Sequence, residues 1–255
     1  MIIGGKYHGN GGEDVNSYTA LASWYDALTG DVPYGQFADF YEKEFRRAGG
    51  DFHLLLDLCC GTGTLTALMA RRGYEMIGVD ASVDMLMQAR EKAAGLETPP
   101  LFLQQDAASL DLYGTVDAAY CSLDGMNYLP AETLPELFRR LRLFIRSGGL
   151  LLFDRRTPDF LKSLDGQIFV DEKDGLLCLW RADYDEAERA LVYGMDLFSR
   201  EKTLWRRSRE EHVEYAHEPE DLKKLLLAQG FSEPALFADA ISPSEGRLFF
   251  SVKRL

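Results

Sequence analysis

Apolar positions recur along this chain with two alternating periods. From residue 53 to residue 154, short apolar runs alternate with stretches whose apolar residues fall every three or four positions. The runs 53–58, 74–79, 100–105, 115–121 and 149–154 predict buried strands. Stretches near 63–72, 82–94 and 131–146 predict the helices between them, and Ser147-Gly148-Gly149 closes the last helix and opens the next strand. Upstream, 18–28 and 37–48 carry helical spacing, separated by the breaker Asp31-Val32-Pro33-Tyr34-Gly35. This alternation predicts an α/β fold with a mostly parallel sheet covered by helices on both faces.

After Asp154 the rhythm changes. A short helix is expected over 158–164, then antiparallel strands at 167–171, 176–185, 190–199 and 204–216, with 186–189 as a turn. A helix over 220–229 ends at Gly230, and 231–238 and 247–253 read as a closing pair of strands. The chain thus divides into a flexible lead-in at 1–16, an α/β unit of 17–155 and 217–255, and a strand-rich insertion at 156–216. That insertion is far longer than an ordinary loop. Its alternating faces, with Trp180, Tyr184, Tyr193, Met195 and Phe198, suit either a cap over the substrate or a contact with a second copy of the chain.

The first strand leads into Asp57-Leu58-Cys59-Cys60-Gly61-Thr62-Gly63, and the second ends Ile77-Gly78-Val79-Asp80. A strand, glycine loop, helix, strand and terminal acid together form a nucleoside-cofactor site. A dinucleotide fingerprint would place a third glycine where Thr66 stands, and the G-K-[ST] of a phosphate-binding loop is absent.

These residues resemble the first motif of class I S-adenosylmethionine-dependent methyltransferases. The resemblance continues in order through Gly78-Val79-Asp80-Ala81-Ser82-Val83-Asp84-Met85-Leu86, Gln105-Asp106-Ala107 and the run from Asp117 to Leu129. Tyr18 and Ala22-Ser23-Trp24-Tyr25-Asp26 are similar to a lid segment of the small-molecule members. The family implies a Rossmann-like fold with a seven-stranded sheet, S-adenosyl-L-methionine as cofactor and S-adenosyl-L-homocysteine as product.

The same resemblance implies a cofactor site made of Asp57, Cys60, Gly61, Thr62 and Gly63, then Asp80, Ala81 and Met85, then Asp106 and Ala107, then Ser122 and Leu123, with Tyr18 and Tyr25 above. Chemistry supports these places. Glycines at 61 and 63 let the backbone approach the methionine part, and the helix N-terminus after Gly63 favours its carboxylate. Asp80 suits two ribose hydroxyls, while Ser82 can serve as the helix cap that Asp80 would otherwise be. Met85 fits either an adenine contact or ordinary core packing.

Methyl transfer from a sulfonium is in-line displacement with a good leaving group, so positioning and water exclusion do much of the work. Base candidates are few. His212 reads either as a surface histidine on a charged strand, facing away from Trp205, Val213 and Tyr215, or as a substrate-facing base. Tyr18 and Tyr25 fit either core packing or closure over the methyl group, and Ser122, Asp124, Asn127 and Tyr128 follow the fourth strand, where ligands sit in such sheets. No His/Asp cluster suggests a catalytic metal.

Composition adjusts this picture. A net charge of -13, from 28 Lys+Arg against 41 Asp+Glu, disfavours nucleic acid as a partner, and the acceptor is expected to be a small molecule. No apolar run is long enough to cross a bilayer. Cys59, Cys60, Cys121 and Cys178 sit in apolar runs and read as reduced core thiols, which points to the cytoplasm. Two rivals stand beside the methyltransferase: a non-catalytic binder of S-adenosylmethionine, and another transferase using a related adenosyl cofactor.

Overall fold

Two sheets organise the computed structural model, which describes residues 18–243 and 246–255. The lead-in expected at 1–16 lies outside the described residues. The helices are α1 (Tyr25–Leu28), α2 (Tyr34–Ala48), α3 (Thr64–Arg71), α4 (Val83–Ala93), α5 (Leu134–Phe144), α6 (Pro158–Ser163) and α7 (Pro219–Ala228). Strands β1 (Leu54–Leu58), β2 (Glu75–Asp80), β3 (Leu101–Gln104), β4 (Val116–Cys121), β5 (Ile145–Arg156), β10 (Ala235–Phe237) and β11 (Arg247–Lys253) form the large sheet. Strands β6 (Ile168–Lys173), β7 (Leu176–Asp185), β8 (Ala190–Glu201) and β9 (Leu204–Tyr215) form the second.

The large sheet runs β10-β11-β5-β4-β1-β2-β3. Strands β1 to β5 pair in parallel, and β11 lies antiparallel to both its neighbours. Strand alternation splits its apolar side chains between two layers. Leu56, Leu58, Ala119, Leu151 and Phe153 face α5 and α7, while Leu55, Ala118, Leu150 and Leu152 face α2 and α3. Both faces are therefore covered, as a parallel sheet requires. The order reverses between β1 and β4, and the crevice outside their carboxyl ends is where such sheets bind ligands.

The second sheet is an antiparallel meander, β6-β7-β8-β9, in unbroken register. Its inner face, with Leu176, Cys178, Met195 and Leu197, packs on Leu21 and on Tyr18, Trp24, Tyr25 and Leu28. Leu161 of α6 packs on Ala182, Leu191 and Ala216 of the same layer.

Four expectations change. The helix expected over 18–28 is helical only at Tyr25–Leu28, because the Glu210 carboxylate of β9 holds the N–H groups of Tyr18, Ala20 and Leu21 in a turn. The second helix starts at Tyr34 rather than 37, with Pro33 immediately before it. Ser147-Gly148-Gly149 lie inside β5 instead of ending a helix: the pairing jumps from Val116–Ile145 to Ala118–Leu150, and Asp117 braces this bulge against Arg146. The strand expected over 231–238 is confined to Ala235–Phe237, preceded by a single bridge between Phe231 and Arg254.

Candidate functional site

The turn between β1 and α3 is built from left-handed backbone. Cys59, Gly61 and Gly63 have φ of 57°, 54° and 68°. The Gly63 N–H returns to the Cys60 carbonyl at 2.9 Å, and the Cys60 N–H bonds Val79 at 3.0 Å, which fastens the turn to β2. At Gly61 an added Cβ would meet no heavy atom within 4 Å, so the loop is open there. At Gly63 it would meet the Ala89 side chain at 2.8 Å and Phe102 at 3.2 Å. Gly63 thus serves close packing against α4, away from the opening.

Asp80 closes the loop from the other side. Its Oδ2 accepts from Gly61 N–H at 2.8 Å and its Oδ1 from Ser82 N–H at 2.9 Å. Ser82 is the cap of α4, accepting from Met85 N–H at 3.3 Å, so Asp80 is spared that task. A carboxylate has about four acceptor positions. Two of Asp80's are used by the backbone, and burial pushes its pKa up. Asp57, fully buried, accepts from Thr66 Oγ1 at 2.5 Å, and burial pushes it up to about 7. The residue standing where a third glycine was sought therefore orients the acid beneath the loop.

Above the loop lies a roof made by residues 18–28. Asp26 accepts from Thr62 Oγ1 at 2.6 Å and Thr64 Oγ1 at 3.2 Å, and pairs with Lys92 Nζ at 2.6 Å. Ser82 Oγ donates to the Tyr18 carbonyl at 3.4 Å. The other end of the roof hangs on Glu210, whose carboxylate takes three backbone N–H groups at 2.6–2.9 Å and His212 Nε2 at 3.1 Å. Between loop and roof is a cavity of about 510 Å³, in the usual range of a small-ligand site.

The loop after β4 forms the far wall. Leu123 and Asp124 both adopt left-handed conformations, with φ of 55° and 58°. Such backbone costs about 1–3 kcal/mol per residue unless its surroundings hold it. Here Asp154 accepts from both N–H groups, at 3.0 and 3.1 Å. Arg247 bridges Asp154 and Asp124, and Arg156 pairs with Asp124 at 3.4 Å.

Comparison with known proteins gives the site its context. The family described as a methyltransferase domain matches residues 55–149. YqeM of Bacillus subtilis (strain 168), named as a candidate methyltransferase, is 28% identical over 93% of this chain and 97% of its own. The crystal structure of an S-adenosylmethionine-dependent methyltransferase from Clostridium acetobutylicum ATCC 824 superposes with a TM-score of 0.81 at 26% identity, covering 93% of this chain and 99% of that one. Residues 55–149 match the methyltransferase domain, and nearly the whole chain is similar to S-adenosylmethionine-dependent methyltransferases in sequence and fold. The fold of S-adenosylmethionine-bound CalS10, an amino pentose methyltransferase from Micromonospora echinaspora, is also shared: TM-score 0.75, 21% identity, 91% and 97% coverage.

In this methyltransferase the expected site residues gather at one place with few exceptions. Asp57, Cys60, Gly61 and Thr62 line the cavity beneath the roof. Asp80, Ala81, Met85, Asp106 and Ala107 also line it, while Ser122 and Leu123 stand on the far wall and Tyr18 and Tyr25 above. Gly63 does not line it. Asp106 is half committed, since its Oδ1 caps the turn at Ala108 N–H at 2.7 Å.

His212 also stands off the cavity, behind Tyr18, with the two rings 4.5 Å apart. It is 3% exposed, so the surface reading of this histidine fails. Position 212 shares the inner face of β9 with Glu210 and Glu214, and burial of all three was hidden by their charge. Asp124 and Asn127 are structural here. Asp124 serves the arginine cluster, and Asn127 links the Arg156 backbone to the Tyr215 carbonyl. Sequence reasoning missed Tyr34, Thr64, Gln104 and Leu129 in the lining, and the roles of Asp26 and Glu210. Alternation along β9 was the one available signal for Glu210. Among the described residues no group of three or more His, Cys, Asp or Glu is placed to hold a metal, and no helix is long and apolar enough to cross a membrane.

Proposed function

We propose that this methyltransferase acts on a nitrogen or oxygen nucleophile of a small molecule, in the cytoplasm. The observation that carries the reading is the roofed shape of the site. A cavity of about 510 Å³ passes from the glycine loop under Tyr18 and Tyr25 to the loop at Ser122–Leu129, which has room for a nucleoside and a small acceptor and none for a duplex. The acidic chain, at -13, supports the exclusion of phosphate backbones. The likeness to an enzyme named for an amino pentose supports a small acceptor, and four free thiols support the compartment.

In this reading the residues fit the cofactor. The open backbone at Gly61 receives its methionine part, Asp80 takes the ribose hydroxyls, Asp106 and the Ala107 N–H take the adenine edge, and Met85 packs on its face. Asp57 and Cys60, with Thr62, Ala81, Ser122 and Leu123, shape the walls. The cofactor supplies an electrophilic methyl group on a sulfonium. The chain's own residues hold the reactants in line and keep water out, which is the purpose of the Tyr18–Tyr25 roof. Tyr18 is the candidate hydroxyl on the acceptor side, and His212 packs against its ring. The sheet at 168–215 then works as the support of the roof, and its outer face is left for contact with a second copy.

Calorimetry with S-adenosylmethionine, S-adenosylhomocysteine and NADH is the direct test. The two sulfur nucleosides are expected to bind at micromolar levels and NADH not to bind. Asp80→Ala is expected to lose roughly 100-fold in affinity, about 3 kcal/mol, the value of hydrogen bonds to a charged group. A screen of small amines and alcohols for S-adenosylhomocysteine formation follows. A folded protein that binds neither nucleoside overturns the reading.

A further inference from the structure

One buried acid is left over once the charges beside the cavity are paired. On the inner face of β9, Glu210, His212 and Glu214 occupy alternate positions, none more than 5% exposed. Glu210 is fully engaged with the roof and with His212. Glu214 is not: its Oε2 has no hydrogen-bond partner, and neither does His212 Nδ1.

The groups around Glu214 come from several elements. Asp124 follows β4 and is paired with Arg247 of β11 and Arg156 of β5, and Arg247 also pairs with Asp154. These two acids and two arginines cancel. Tyr193 of β8, Tyr18 of the roof and Tyr128 of the short turn at Gly125–Tyr128 lie within the field of the Glu214 carboxylate. With Arg156 and Arg247 engaged by Asp124 and Asp154, an ionised Glu214 has no ion-pair partner of its own among the described residues.

Tyr18 and Tyr128 connect this acid to the cavity, because both line it. Their ring centroids are 5.8 Å apart, and Tyr25, a third lining residue, stands edge-on to Tyr18 at 6.2 Å. Aromatic faces grouped about a small space attract cations through their quadrupoles, more so when the site is desolvated. An acid behind the rings adds its field to theirs.

We propose that this tyrosine-walled end of the cavity is the acceptor subsite, and that it takes a protonated amine, with the Glu214 carboxylate as counter-charge. The proposal rests on the small-acceptor reading above and narrows it to one class. Burial, helped by the Asp124 charge, pushes Glu214 up to about 8, while Arg156 and Arg247 oppose the shift. At neutral pH the carboxyl thus holds its proton until a cation faces it. An arriving alkylammonium favours the carboxylate, the O–H bond breaks, and the proton passes to the buffer.

The test uses the whole chain saturated with S-adenosylhomocysteine and two isosteric probes. N,N-dimethylethanolamine is cationic at neutral pH, and 3-methyl-1-butanol has the same shape without charge. Calorimetry is expected to show the amine binding at least tenfold tighter, with release of close to one proton below pH 8, read from buffers of different ionisation heat. Glu214→Gln is expected to abolish both the preference and the proton release, with S-adenosylhomocysteine affinity as the check on folding. Equal affinities, no binding of either probe, or a preference that survives in Glu214→Gln would each overturn the subsite. So would a variant that loses S-adenosylmethionine relative to S-adenosylhomocysteine but keeps the amine preference, since Glu214 would then serve the sulfonium. A chain that binds neither nucleoside yet keeps the cation preference would instead overturn the methyl-transfer reading alone.

Discussion

The two ends of the cavity are held by different means. At the glycine loop, the bonds are short, mostly from backbone groups, and close in sequence: Gly61 to Asp80 spans 19 residues, Ser82 to Asp80 two, and Thr66 to Asp57 nine. At the roof and far wall, side-chain charges reach partners far along the chain. Glu210 reaches Tyr18 across 192 residues, and Arg247 reaches Asp124 across 123. The first end is a preformed motif with little to move. The second is assembled only when remote strands dock, so it can open at Glu210 while Asp26 keeps its hold on Thr62 and Thr64 of the first. This division suits an enzyme that must grip one ligand and exchange another.

Arg247→Met makes the largest cut at the assembled end. It leaves Asp154 and Asp124 buried without their main partner, and loss of one member of such a network costs about 3–5 kcal/mol. Urea unfolding is expected to show a stability loss of that order. A loss within about 1 kcal/mol would mean that the hydrogen bonds from Leu123 and Asp124 hold Asp154 without help.

Glu210→Ala is expected to act more locally. It removes the acceptor of three N–H groups, worth about 1–3 kcal/mol here. Hydrogen exchange is expected to quicken at Tyr18, Ala20 and Leu21 first, and S-adenosylhomocysteine to dissociate roughly tenfold faster. If the glycine loop loosened to the same degree, the independence of the two ends would be wrong.

The preformed end is probed through pH alone. Burial raises Asp57 from 3.8 to about 7, so the folded chain binds that proton more tightly than the unfolded one. The stability this gives is complete below about pH 4 and is lost as pH rises to about 7. Asp57→Asn is expected to flatten part of the fall in melting temperature over that window. An unchanged slope would mean that Asp57 stays ionised throughout.

The same division explains what could be read beforehand. The glycine loop, Asp80, Ser82 as the alternative cap, and Asp106 were legible because their partners are neighbours in sequence, and the strand and helix periods placed the sheet around them. Asp26, Glu210, Arg247 and Glu214 were not legible. Each takes its role from a contact more than 30 residues away or from burial that its charge type conceals. His212 shows the limit most plainly. Alternation put it opposite Val213 and Tyr215, but nothing local said that the charged face, and not the face with Trp205, turns inward. Trp205 is 53% exposed and His212 3%. Likewise, 18–28 has helical spacing, and only the remote Glu210 carboxylate explains why most of it is a turn.

The distance between Tyr18 and Glu210 also sets a schedule. A ribosome adds about 5–20 residues per second, so roughly 10–40 s separate the emergence of the roof segment from that of its anchor. The glycine loop, β2 and α4 are complete long before then. During that interval the nascent chain carries the complete glycine-loop segment with Leu21, Trp24 and Tyr25 unhoused beside it. These apolar residues are the ones a chaperone would meet on an unfinished chain, and they leave its reach when β9 arrives.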